Sequence, residues 1–235
     1  MRKLIVVTGG SRGIGRAIIE EFMEHGFDAA TCSRDRGHLE ELQRAVEEQY
    51  PESKLYTIQA NLADVNDVKK FCQFVRALDQ PIDVLVNNAG YFISGQLVSE
   101  PDDTLSKMIE ANLYSAYHTT RGLIAQMARG KGSYIFNMCS IASFMAYPNG
   151  GSYAISKFAL LGFTKCLRAE LKEEGIRVSA VMPGATLTDS WAGSSFPDER
   201  FVKSEDVADA IFGAYALSPR AVVEEIVIRP QLGDI

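Results

Sequence analysis

In Lys3-Leu4-Ile5-Val6-Val7-Thr8-Gly9-Gly10-Ser11-Arg12-Gly13-Ile14-Gly15, an unbroken apolar run leads through Thr8 straight into a turn that holds four glycines. An apolar stretch without alternation is one buried on both faces, as in a parallel sheet covered by helices. After the glycines, Arg16 to His25 reads as a helix, with Ile18, Ile19 and Phe22 at helical spacing and Gly26 where a left-handed C-cap belongs. The unit is therefore strand, glycine turn, helix. A turn of this kind gathers free backbone N–H groups and the positive end of a helix dipole, and glycine lets a pyrophosphate approach without meeting a Cβ. Gly9, Gly13 and Gly15 do not follow the G-x-G-x-x-G spacing literally, but the physical reason for a dinucleotide seat survives the difference.

Working outward, strands and helices alternate to the end of the chain. Strands are expected at Asp28 to Ser33, Lys54 to Gln59, Asp83 to Asn87, Ser133 to Cys139, Arg177 to Met182 and Val222 to Ile228. Between them fall helices from Gly37 to Gln49, from a cap at Asp64 or Asn66 through Ala77, from Leu105 to Met127, and from Tyr153 to Glu174. A last helix, capped by Ser204, runs to Leu217. Repeated right-handed βαβ units make an α/β, Rossmann-like, doubly wound parallel sheet of seven strands with helices on both faces. Ligands bind beyond the carboxyl ends of such strands. No Pro/Ser-rich linker or charge run divides the chain, so residues 1–235 are expected to form a single dinucleotide-binding and catalytic domain.

Composition narrows the function classes. A net charge of −6 argues against nucleic acid as a general partner, and no apolar stretch approaches membrane-spanning length. The apolar run after Met1-Arg2-Lys3 is only Leu4 to Val7, too short for a signal peptide. Cys32, Cys72, Cys139 and Cys166 are widely spaced with no C-x-x-C pair and no histidine cluster, which argues against a disulfide framework and against a metal site. A cytoplasmic location is expected. Cys139, beside Ser140, reads as a small buried thiol.

The chemistry concentrates in Ser152-Tyr153-Ala154-Ile155-Ser156-Lys157 and in Ser140, thirteen residues before the tyrosine. Residues i and i+4 share a helix face, so Lys157 is placed beside the Tyr153 phenol. A phenol of pKa about 10 needs a neighbouring cation to work near neutrality, and Lys157 is expected to lower it. Ser140 then holds the oxygen of a carbonyl under reduction.

Taken with the glycine turn, Asn87-Asn88-Ala89-Gly90, Asn112 and Pro183-Gly184, these residues closely resemble the short-chain dehydrogenase/reductase family in its compact, single-domain branch, over essentially the whole chain. The resemblance implies a tetrad: Tyr153 as proton donor, Ser140 polarising the carbonyl, Lys157 holding the nicotinamide ribose and lowering the tyrosine pKa, and Asn112 linking a water-mediated proton path. It implies cofactor contacts from Gly9, Ser11, Arg12, Gly13, Ile14, Asn88, Ala89, Gly90, Pro183, Gly184, Thr186 and Thr188, as well as from Tyr153 and Lys157. Asn61, followed by Leu62, stands where the family usually has an aspartate against the adenine, and its carbonyl can still accept from the adenine amino group. Thr186 stands where an aliphatic residue is common. A homodimer or homotetramer, assembled through the helices of Asn112 and Tyr153, is also implied.

Charge argues the cofactor. An acid ending the second strand would bind a free ribose 2′-OH; this chain has Ser33 and Arg34 there, with Arg12 in the glycine turn. Two forked guanidinium groups suit a phosphate, so NADP(H) is expected. The substrate is a small carbonyl or alcohol. Trp191 and Phe196, in a segment at the family's substrate-lid position, offer faces for a flat ring. The C-terminal run Arg220 to Pro230, ending Gly233-Asp234-Ile235, with Pro183-Gly184-Ala185, resembles the bacterial sepiapterin-reductase-like subgroup. The leading expectation is an NADPH-dependent reductase of a small ketone, diketone or pterin side chain. The alternatives are a 3-oxoacyl-thioester reductase, whose acyl-carrier-protein partner would dock on basic residues such as Arg121, Arg129 and Lys131, and a non-catalytic NADP(H)-responsive binding protein.

Overall fold

The computed structural model describes residues 2–128, 132–191 and 193–235. Among the described residues, seven strands form one all-parallel sheet: β1 (Leu4–Thr8), β2 (Asp28–Ser33), β3 (Leu55–Gln59), β4 (Ile82–Asn87), β5 (Tyr134–Met138), β6 (Arg177–Pro183) and β7 (Glu225–Ile228), in the order β3-β2-β1-β4-β5-β6-β7. The chain winds outward from β1 in one direction and from β4 in the other. Where the winding reverses, the carboxyl ends of β1 and β4 part to leave a crevice.

The helices are α1 (Gly13–Glu24), α2 (Arg36–Gln49), α3 (Val65–Arg76), α4 (Thr104–Ile109), α5 (Ser115–Leu123), α6 (Gly151–Leu171) and α7 (Ser204–Ala216). Ile5 and Val7 of β1 pack with Ile18 and Phe22 of α1, Leu42 of α2 and Ile211 of α7. Leu4 and Val6 face the other way, toward Phe71 of α3, Leu123 of α5 and Leu171 of α6. Successive side chains of a strand point to opposite faces, so two buried faces require the unbroken apolar run. Burial of each such side chain contributes about 1.5–3 kcal/mol.

Several boundaries differ from expectation for identifiable reasons. α1 begins at Gly13, not Arg16, so the glycine turn itself supplies the first helical N–H groups. Gly26 has φ +80° and donates to Met23 O at 2.9 Å, the C-terminal turn anticipated for it. Asp64, not Asn66, caps α3, and α2, capped by Asp35, starts at Arg36, one residue ahead of the expected start. Ser204 is not the cap of α7. Lys203 is, and its N–H donates to Asp206 Oδ2 at 3.0 Å while the Ser204 hydroxyl donates to Leu187 O at 3.2 Å. β7 starts three residues late because Val223 N–H donates to Tyr134 Oη at 3.0 Å, and Ser179 Oγ donates to Val223 O. The single helix expected from Leu105 to Met127 is instead α4, a π turn (Glu110–Tyr114), α5 and a 3-10 turn (Ile124–Gln126). A π turn inserts one residue into the helical repeat and rotates the helix beyond it. Asn112 lies in it.

Candidate active site

The glycine turn ends β1 at the crevice. Gly9 and Gly13 have φ +66° and +54°, values that side chains with a Cβ rarely adopt. A Cβ at Gly15 would lie 2.5 Å from Asn88 Nδ2 and 2.6 Å from Gly9 O. Asn88 is the reason for that closeness: its Nδ2 donates to Thr8 O and Gly9 O, both at 3.0 Å, and Thr8 Oγ1 accepts from the N–H groups of Asn88 and Ala89. The turn is thereby bound to the end of β4. Arg12, the N-cap of α1, makes no side-chain cap, so its own side chain leaves the first helical N–H groups free for a ligand. Backbone donors, a helix N-terminus and a cradle that tolerates no Cβ together fit a pyrophosphate.

Two hollows meet here. One, of about 410 Å³, is lined by Gly9, Ser11, Arg12, Ser33, Arg34, Asn61, Leu62, Asn88, Ala89 and Gly90. The other, of about 680 Å³, takes in Gly13, Ile14, Ser140, Tyr153, Lys157, Pro183, Gly184, Thr186 and Thr188. Gly9, Arg12, Arg34, Asn88, Gly90 and Tyr91 line both, so the hollows are continuous. In the first, Ser11 Oγ donates to Ser33 Oγ at 2.9 Å, and the Arg34 guanidinium lies 5.7 Å from the Tyr91 ring centroid. Arg12 forms an ion pair with Asp189. Asn61 Oδ1 accepts from Ala63 N at 3.3 Å, leaving a second lone pair. The Thr186 hydroxyl donates to Gly184 O at 3.1 Å.

At the far end of the larger hollow, β5 delivers Ser140 and α6 delivers Tyr153 and Lys157. Ser140 caps a 3-10 turn (Ile141–Ser143), accepting from Ala142 N at 3.1 Å, and its hydroxyl stands beside the Tyr153 phenol and works to lower its pKa. Lys157 is buried and donates to Met138 O at 2.7 Å, its Nζ standing 5.7 Å from the Tyr153 ring centroid. Electrostatics here depart from expectation. Burial holds the Tyr153 phenol above its usual pKa, against a smaller lowering by Ser140, and burial pushes the Lys157 ammonium down to about 8. The anticipated lowering of the phenol by Lys157 does not operate in this state, where the ammonium donates to a β5 carbonyl and burial sets the direction for the phenol.

Asn112 does not line either hollow. It is buried behind Gly90, where a Cβ would come 2.6 Å from its Oδ1. Its Oδ1 accepts from Tyr91 N at 2.9 Å; its Nδ2 donates to Tyr91 O at 3.1 Å and to Ser156 Oγ at 3.0 Å. Three of the four implied tetrad members therefore face the hollow, and the fourth joins the loop after β4 to α6.

Residues missed in the sequence also line the larger hollow, among them Phe92, Met145, Tyr147 and Asp234. Phe92 meets the Tyr153 ring edge-on, centroids 4.9 Å apart, and burial pushes the Tyr147 phenol up to about 12. Phe92 was within reach of sequence reasoning, since it follows Asn87-Asn88-Ala89-Gly90 by two residues at a strand's carboxyl end. Trp191 both lines the hollow and packs against Phe201, centroids 5.1 Å apart, whereas Phe196 is exposed.

Residues 3–197 match the family model described as short chain dehydrogenase. The chain belongs to this family. It is 31% identical over 245 residues to a sepiapterin reductase of Chlorobaculum tepidum, covering 100% of this chain and 99% of that protein. A 3-oxoacyl-acyl-carrier-protein reductase of Staphylococcus epidermidis is 31% identical over 232 residues, 94% of this chain and 93% of the relative. Among solved structures, a short chain dehydrogenase from Burkholderia cenocepacia in complex with NADP superposes with a TM-score of 0.87 at 28% identity, over 97% of this chain and 96% of that one. This short chain dehydrogenase is an oxidoreductase, and its α/β, Rossmann-like sheet is the one expected from the strand pattern.

Proposed function

We propose that the protein, acting as one catalytic unit of 235 residues, is an NADP(H)-dependent reductase of a small ketone, 1,2-diketone or pterin side chain, with Tyr153 as the general acid. The observation that carries this reading is the Ser140, Tyr153 and Lys157 cluster at one end of a hollow whose other end is a glycine turn fit for pyrophosphate. Ser33 ends β2 where an acid would bind a free 2′-OH, and Arg34 and Arg12 line the same hollow, together with Asp35; the two guanidinium groups support a 2′-phosphate there. The NADP complex of the Burkholderia cenocepacia relative supports it further.

The bound nicotinamide supplies the hydride. Ser140 donates to the carbonyl oxygen and holds it beside the phenol. As negative charge grows on that oxygen, the Ser140 bond strengthens and Tyr153 transfers its proton to the same atom, completing an alcohol. A phenol kept protonated by burial is in the right state to give that proton. Lys157 stands behind the phenol, placed to bind ribose hydroxyls and to stabilise the phenolate left after transfer. Asn112 orders the loop after β4 against α6 and so shapes the wall of the site.

The aromatic faces of Phe92, Tyr147 and Trp191 favour a compact, flat substrate, in keeping with the similarity to a sepiapterin reductase along the whole chain. Reduction of a 3-oxoacyl thioester is the second reading, favoured by the Staphylococcus epidermidis relative. Of the basic residues considered for carrier docking, Arg121 donates to Tyr117 Oη at 3.0 Å, while Arg129 and Lys131 lie outside the described residues. A third reading, a non-catalytic NADP(H)-responsive protein, would leave the Ser140 and Tyr153 pairing without a use. Ile155 and Phe158, exposed on α6, support assembly into a homodimer or homotetramer, and three buried free thiols accord with the cytoplasm.

Oxidation of NADPH and NADH should be followed with sepiapterin, small 1,2-diketones and an acetoacetyl thioester. Turnover of the ring-bearing or diketone substrates with NADPH is expected; reduction of the thioester alone would move the assignment to the second reading. The double variant Ser33→Asp, Arg34→Leu should lose roughly ten- to a hundredfold in NADP(H) affinity, about 1.5–3 kcal/mol, and gain in NAD(H). Titration of both cofactors checks this, and an unchanged preference would mean that Arg34 does not meet the phosphate.

A further inference from the structure

The first turn of α6 presents Tyr153, yet its N-cap, Gly150, has no side chain with which to cap it. The missing acceptor comes from far along the chain. Glu100, in the segment between β4 and α4, accepts from Ser152 N at 3.3 Å through Oε2 and from the Ser152 hydroxyl through Oε1. Ser152 is fully buried, and a Cβ at Gly151 would lie 2.6 Å from Glu100 Oε2 and 2.6 Å from Gly95 O. The same segment is tied in again where Gly95 N donates to Asn149 O at 3.0 Å.

Charge and geometry act together here. A carboxylate at a helix N-terminus is stabilised by the exposed N–H groups and by the dipole, and in return it holds that turn in place. The segment that begins with Tyr91 also sends Phe92 against the Tyr153 ring, and Asn112 reaches α6 through Ser156, whose hydroxyl donates to Tyr153 O at 2.7 Å. Tyr153 is therefore held at its ring and at its own carbonyl. At the residue just before it, the anchor is Glu100.

We propose that Glu100 is a positioning residue for the reduction: its carboxylate fixes the first turn of α6 and thereby keeps the Tyr153 phenol on Ser140. The inference rests on Tyr153 being the acid, so the test includes Tyr153→Phe as a separate arm. Glu100→Ala, Glu100→Gln and Ser152→Ala should be compared with wild type for kcat, for KM of NADPH and for amide hydrogen exchange across residues 151–154.

A displaced acid loses rate without losing distant binding contacts, so Glu100→Ala should lower kcat about 10- to 100-fold with KM for NADPH little changed. Glu100→Gln retains one carbonyl acceptor and should recover part of the rate, and exchange at residues 151–154 should quicken in the order Gln, then Ala. Wild-type kcat per folded Glu100→Ala molecule, whatever its thermal stability, overturns the proposal. If Glu100→Ala does not fold, wild-type kcat in both Glu100→Gln and Ser152→Ala overturns it. Full activity in Tyr153→Phe instead sinks the assignment of the acid, and a wild-type enzyme that reduces no carbonyl tested sinks both.

Discussion

Tyr153→Phe is expected to cut kcat by roughly a thousandfold or more while leaving NADPH affinity nearly intact. The substitution removes one oxygen, the one beside the Ser140 hydroxyl, and keeps the ring that Phe92 packs against. The glycine turn and the Ser33 and Arg34 end of the groove lie apart from it, at the carboxyl ends of β1 and β2. Steady-state kinetics with cofactor titration by fluorescence separates the two quantities. Turnover near the wild-type level would exclude the phenol as proton donor and leave Ser140 or an ordered water to be considered.

Lys157→Met is expected to have a loss of comparable size, with an additional fall in cofactor affinity, because the ammonium is placed to serve both the phenol and a ribose. It also carries a pH signature in stability. Wild-type Lys157 is buried and its pKa falls from 10.5 to about 8 on folding, a shift worth about 3 kcal/mol. Below pH 8 the folded protein bears an ammonium that its surroundings disfavour, so the penalty is present in full. As pH rises from 8 to 10.5 the unfolded chain binds more protons than the folded one, and the penalty disappears. The stability of wild type relative to Lys157→Met should therefore rise by about 2–3 kcal/mol between pH 7 and pH 10 in urea unfolding of the ligand-free proteins. A difference that stays flat with pH would mean that the site already solvates the ammonium.

Much of the architecture was legible because its causes are local. The apolar run Leu4 to Val7 has no polar alternation, which already requires helices on both faces, and each of the seven strands overlaps a stretch where the sequence pattern placed one. Ser140, Tyr153 and Lys157 were legible as a group because helix periodicity places two of them and a strand end places the third. Less could be read where a second segment intervenes. The helix expected from Leu105 to Met127 carries no proline or internal break signal beyond Gly122, yet it turns through a π segment at Asn112. Asn112 there bonds to Tyr91 and Ser156, partners 21 and 44 residues away.

What the sequence determined by itself was the α/β alternation, the glycine turn that opens α1 and the grouping of Ser140, Tyr153 and Lys157, since apolar periodicity, glycine spacing and helical spacing act over a few residues. Tertiary structure alone decided which groups meet. Sheet order sets β4 beside β5, and so brings the segment after β4 onto the start of α6, where Glu100 reaches Ser152 across 52 residues. The same packing turns the Lys157 ammonium toward Met138 O and buries the phenol, so that desolvation, which depends on everything packed around a group and not on its neighbours in sequence, reverses the pKa direction that helical spacing had led us to expect.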